Sequence, residues 1–169
     1  MDKFGTITAV NAGSFDLSDH AFLERIAQTA LAERVVGKIP DEAYEETARS
    51  IDQTLRAQLA QQGQNYDEFV KQQGGEQAFN IGLMMQARQT LRCDYALDAV
   101  FNHMGLALTD DDIQNACAEL NPQNPWAVRQ NMEQSGRGFQ LRDVARRYAA
   151  SKYVVEHAKI TYADQKNGE

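Results

Sequence analysis

Gly74-Gly75-Glu76-Gln77-Ala78-Phe79-Asn80-Ile81-Gly82-Leu83-Met84-Met85-Gln86-Ala87-Arg88-Gln89-Thr90-Leu91-Arg92-Cys93-Asp94-Tyr95-Ala96-Leu97-Asp98-Ala99-Val100-Phe101-Asn102-His103-Met104-Gly105 is the stretch on which the fold turns. The paired glycines break the chain, and the next strong stop is Gly105, a residue that can take positive φ at a helix end. Between them, Leu83, Met84, Ala87 and Leu91, then Leu97, Val100, Phe101 and Met104, recur at helical spacing. The pattern predicts one long helix over about 76–104. Its apolar residues spread around the axis: Phe79, Ile81 and Leu83 do not share a face, and Met84 and Met85 are adjacent, so a single narrow seam cannot bury them all.

Outward from this helix the same reading holds in both directions. Ser18 or Asp19 caps a helix to about Val36, with Leu23, Ile26, Ala27, Ala30 and Leu31 on one face and Gly37 as its stop. Pro40 opens a second helix, where a missing N–H costs nothing, and Asp41, Glu42, Glu45 and Glu46 suit the positive end of its dipole. Its seam is narrow (Tyr44, Ala48, Ile51, Leu55, Leu59), as a hairpin requires, and Gly63 ends it. Asn65 and Glu68 form a capping-box variant for a short helix to about Gln73. Beyond Gly105, Thr109 and Asp112 make a second box, Asn124-Pro125 starts another helix carrying Trp126, Arg129 and Met132, and a last helix runs from about Phe139 to Ala158. No period-2 strand pattern emerges. The fold class is all-α, multi-helical, with a helical-hairpin arm over about 40–104. Residues 1–17 read as a linker or docked extended segment and 163–169 as a polar tail.

Composition narrows the function. The 169 residues carry a net charge of −7, which repels nucleic acid phosphates and anionic lipid, so neither is an expected partner. No apolar run approaches the length of a membrane span, and Met1–Asp16 lacks a signal-peptide layout, so the expected location is cytoplasmic. Cys93 and Cys117 fall on apolar helix faces, outside any metal or redox spacing, and read as buried thiols. Catalysis finds no constellation. His20, His103 and His157 have no Cys, Asp or Ser partner at a spacing that would place both on one helix face beside a nucleophile, and the last two suit helix C-termini. Asp110-Asp111-Asp112 opens a helix rather than a calcium loop, and Gly136-Arg137-Gly138 reads as a helix–helix turn. Arg142, Arg146 and Arg147 read as a solvated face. No cofactor, metal site or catalytic residue is expected.

The order of several motifs resembles the C-terminal, chaperone domain of bacterial trigger factor. They are the Ile39-Pro40 step with its acidic turn, Gly63-Gln64-Asn65-Tyr66-Asp67-Glu68-Phe69 at an arm tip, Ala96-Leu97-Asp98-Ala99-Val100-Phe101, Leu106-Ala107-Leu108-Thr109-Asp110-Asp111-Asp112-Ile113, and Val155-Glu156-His157-Ala158-Lys159-Ile160-Thr161. The resemblance spans about residues 20–162 and sets the expected domain at 18–162. It implies an ATP-independent chaperone domain that binds unfolded or nascent polypeptides through scattered apolar contacts. The family's ribosome-docking loop and its prolyl-isomerase domain have no counterpart in these residues. Ribosome contact would therefore come through other domains, and this chain is expected not to be an enzyme. The expected client contacts are Ile51, Leu55, Leu59, Phe79, Leu83, Met84, Met85, Phe101 and Met132, a set rich in the flexible, polarizable side chains that accept many partners. A weak homodimer, or a helical interaction module with one defined partner, is the alternative.

Overall fold

The computed structural model describes residues 6–10 and 20–163. The elements run β1 (Thr6–Val10), α1 (His20–Ala32), α2 (Asp41–Gln61), α3 (Tyr66–Gln72), α4 (Glu76–His103), α5 (Asp110–Leu120), α6 (Pro125–Gln134), α7 (Gly138–His157) and β2 (Lys159–Ala163). Among the described residues the chain is all-α apart from these two strands. These pair in parallel, Ile7 opposite Ile160 and Thr8 opposite Thr161, and they correct the expectation of no strand. Thr-Ile-Thr and Lys-Ile-Thr are β-favouring, but five residues at each end of the chain leave too short a period-2 signal, and only the tertiary fold brings them together. The predicted caps Ser18 and Asp19 and most of the polar tail lie outside the described residues.

The helix boundaries follow local chemistry. Thr109 caps α5 with the full reciprocal box: Asp112 N–H donates to Thr109 Oγ1 at 3.2 Å, and Thr109 N–H donates to Asp112 Oδ2 at 2.9 Å. Asn65 accepts from Glu68 N–H at 3.1 Å, and Asn124 accepts from Ala127 N–H at 3.1 Å, with Pro125 opening α6. Helix α1 stops at Ala32 rather than near Val36, so Gly37 lies beyond the helix end and is not its immediate cap.

The chain divides into two compact units, residues 35–93 and the remainder. In the remainder, the core gathers Ala27 of α1, Leu97, Val100 and Phe101 of α4, and Ala150 and Val154 of α7, with Leu31, Met104, Leu106 and Leu108 packed against it. Leu141, Ala145 and Cys117 are also buried. An ion-pair clasp lies within this unit. Arg147 of α7 donates from Nε and Nη2 to the two oxygens of Asp98 at 3.0 and 2.9 Å, and its Nη1 is 2.8 Å from Asp94 Oδ2, one turn earlier on α4. Arg147 is therefore not the solvated residue its neighbours suggested. Arg146, which pairs with Asp143 at 3.2 Å, remains at the surface. Burial raises the Asp94 carboxyl above its ordinary value, opposed by the charge of Arg147 and reinforced by that of Asp98.

Candidate functional site

The 35–93 unit has little to bury. Its buried apolar residues are Ala48, Leu59, Val70 and Ala87, two of them alanines. Such a core leaves larger side chains part-open, and Ile51, Leu55, Phe69, Phe79, Leu83 and Met84 are all only half-buried. The chain makes its first turn at Gly63 (φ 67°), where Gly63 N–H donates to Ala60 O at 3.1 Å and Gln64 N–H to Leu59 O at 2.9 Å. This pair of bonds satisfies the last carbonyls of α2 and needs the left-handed backbone that glycine adopts without strain.

The open side chains frame a groove of about 620 Å³. Helix α2 lines it with Ser50, Ile51, Thr54, Leu55 and Gln58. Helix α4 lines it with Ala78, Phe79, Gly82, Leu83 and Gln86, and Phe69 and Gln73 complete it. The two helices use the same spacing (i, i+1, i+4, i+5, i+8), which places each set on one face. Each set holds two large apolar residues, two small or hydroxyl-bearing residues and a terminal glutamine.

A second groove of about 660 Å³ shares Phe79 and Leu83 but is lined by Arg49, Asp52, Arg56, Asp67, Lys71 and Glu76 among others. Its chemistry is local and paired. Tyr66 O–H donates to Asp52 Oδ1 at 2.5 Å, Arg56 Nε donates to Asp52 Oδ2 at 2.8 Å, and the Arg56 guanidinium lies 3.5 Å from the centre of the Tyr66 ring. Burial pushes the Asp52 carboxyl up, but the hydrogen bonds from Tyr66 and Arg56 outweigh it and hold the carboxyl below its ordinary value. Burial raises the Tyr66 phenol, and the adjacent Asp52 raises it further. Tyr66 meets Phe79 edge-on at 5.9 Å, and Phe79 meets Phe69 edge-on at 6.3 Å. The Asp52–Arg56–Tyr66 cluster thus ties α3 to α2 and sets the ring of Phe79 as the wall between the two grooves.

Of the residues read as client contacts, Ile51, Leu55, Phe79 and Leu83 meet in the first groove. Met85 is 67% exposed and Met84 half-buried on the same helix, outside the lining. Leu59 and Phe101 are buried at 4% and 9% exposure and belong to packing, because the seam of α2 and the far half of α4 each need a large side chain there. Met132 lies half-buried on α6, in the other unit. Phe69, Gly82 and the three groove glutamines were not singled out from the sequence; the matching five-position stripe on both helices was the available signal. Among the described residues, no cluster of three His, Cys, Asp or Glu is placed to hold a metal ion, and no helix is long and apolar enough to cross a membrane.

Residues 15–156 match a family model described as the bacterial trigger factor protein C-terminus. Trigger factor from Ureaplasma urealyticum serovar 10 is 29% identical over 106 residues, covering 61% of this chain; the chain spans 22% of that relative's length. A solved structure from work on the domains of trigger factor from Thermotoga maritima, and the interactions between them, superposes with a TM-score of 0.62 at 15% identity, covering 88% of this chain and 89% of the other. At that identity the likeness is one of fold.

Proposed function

Because the chain belongs to the bacterial trigger factor C-terminus family, we propose that it is an ATP-independent chaperone domain that holds unfolded or nascent polypeptides through apolar contacts. The observation that carries this reading is the part-open apolar groove between α2, α3 and α4, in a unit whose buried core is too small to close it. Each apolar side chain a client buries there contributes about 1–2 kcal/mol, at roughly 25 cal/mol per Å². Several such contacts along one unit raise avidity while each remains quick to release. A client that folds buries its own apolar groups and leaves. The net charge of −7 keeps the open surface soluble. In this proposal the domain works in the cytoplasm, and ribosome contact and prolyl isomerisation belong to other domains of the family.

The test is light scattering from a chemically denatured protein diluted into buffer without nucleotide. The chain in equimolar amount should slow aggregation; no effect at several-fold excess would sink the reading. A second reading, a helical interaction module with one defined partner, draws support from exposed Leu120 (52%), Trp126 (66%) and Phe139 (56%) outside the groove-bearing unit. It requires a tight dimer or a stoichiometric complex by sedimentation, with unfolded clients failing to compete.

A further inference from the structure

Two features of the first groove say more about what it holds than its apolar floor does. The first is charge. In a chain with 24% charged residues, none of the twelve residues lining this groove is ionisable. The neighbouring groove, which shares Phe79 and Leu83, carries Arg49, Arg56 and Lys71 with Asp52, Asp67 and Glu76. In place of charges the first groove has Gln58, Gln73 and Gln86, whose amides both donate and accept. Such groups can meet the N–H and C=O of a peptide main chain. They cannot neutralise an inserted ammonium or carboxylate, which would lose its water without gaining a counter-charge.

The second feature is Gly82. It sits inside the 28-residue helix α4, where glycine costs about 1 kcal/mol relative to alanine. Its own fold does not require the missing side chain, since a Cβ built there meets nothing within 4 Å. The space over Gly82 on the groove-lining face is therefore open. Ala78, one turn earlier, is small as well. A main chain can lie close to the helix over these two positions, as glycine commonly allows where backbone approaches backbone.

We infer that the groove selects uncharged, extended peptide segments, whose main chain lies over Ala78 and Gly82, whose apolar side chains rest on Leu55, Phe79 and Leu83, and whose amides pair with the groove glutamines. This rests on the holdase reading and specifies its substrate class: stretches of a client free of Lys, Arg, Asp and Glu, as opposed to apolar segments with flanking charges.

The experiment uses the full chain and three fluorescein-labelled peptides of one apolar sequence, flanked by Asn and Gln, by Lys, or by Asp, with binding followed by anisotropy at physiological salt. The uncharged peptide should bind about tenfold tighter than either charged one, the factor that about 1.4 kcal/mol represents. Gly82→Trp should weaken it by a similar factor with the far-UV spectrum unchanged. If that variant melts early, Gln86→Glu decides, since Gln86 is exposed and its replacement leaves the core intact: it should weaken the uncharged peptide and strengthen the Lys-flanked one. Equal affinity for all three peptides, or unchanged binding by both variants, overturns the inference. So does a wild-type dimer that Gly82→Trp dissociates while no peptide binds, since the groove's occupant is then a second copy. Suppression of aggregation by the wild-type chain is read in parallel. If it holds while the peptide preference fails, the substrate class alone is wrong; if both fail, the holdase reading falls.

Discussion

Replacing Arg147 with methionine tests the clasp between α7 and α4. The change keeps an apolar stem of similar length and removes the guanidinium that serves Asp94 and Asp98 at once. Breaking a fully buried ion pair costs about 3–5 kcal/mol and an exposed one at most about 1. The three side chains are 29–36% exposed, so solvent screens part of the interaction and a loss of about 1–3 kcal/mol at neutral pH follows. The pH dependence has a definite sign. The folded-state pKa of Asp94 is raised, so its contribution is fully present below the ordinary carboxylate value and is lost as pH rises through the folded pKa. Removing Arg147 takes away the charge that opposes this rise, while Asp98 remains to reinforce it. Asp143 and Arg146, the other charges at this face of α7, are unchanged. The variant should therefore lose most at pH 7 and draw level with wild type toward pH 3. Urea denaturation followed by far-UV circular dichroism at both values reads the difference. A variant as stable as wild type at pH 7, or a deficit that does not shrink in acid, refutes the reasoning.

Tyr66→Phe removes the hydroxyl that donates to Asp52 and should cost about 0.5–1.5 kcal/mol, read as faster amide exchange in α3. Because the folded-state pKa of Asp52 is depressed, its contribution is present above the ordinary carboxylate value and is lost as pH falls through the folded pKa, so this variant and wild type should also converge in acid. Thr109→Ala deletes the α5 capping box and should lower stability by about 1 kcal/mol in thermal melts, whereas Thr109→Ser should keep most of it. Leu141→Ala, at a side chain 2% exposed, should cost about 2–5 kcal/mol in urea.

The helices were legible because their signals are local. Thr109-Asp112, Asn65-Glu68 and Asn124-Pro125 announce helix starts within four residues, and the stretch from Glu76 to His103 contains no strong break. What escaped depends on residues far apart in the chain. The strands are five residues each and make sense only in register with one another, Thr6 to Lys159. Arg147 looks solvated beside Arg146 until the fold places Asp94 and Asp98 around it. The groove was half visible. Its large apolar residues stood out as a surplus that no single seam could bury. Its boundaries did not, because Leu59 and Phe101 share the spacing of Leu55 and Leu83 and differ only in what packs over them. Gly82 carries no signal of its own in the sequence, and the open space around it emerges only from the fold.

Site-specific photo-crosslinking tests the central claim most directly. A crosslinking side chain is placed at Gln58 in the groove or at Arg142 on the exposed surface of α7, and the chain is mixed with a denatured client or with the same client folded. The account predicts adducts from position 58 with the unfolded client only and a background level from position 142. Equal adducts from both positions, or no adduct from position 58, would contradict it.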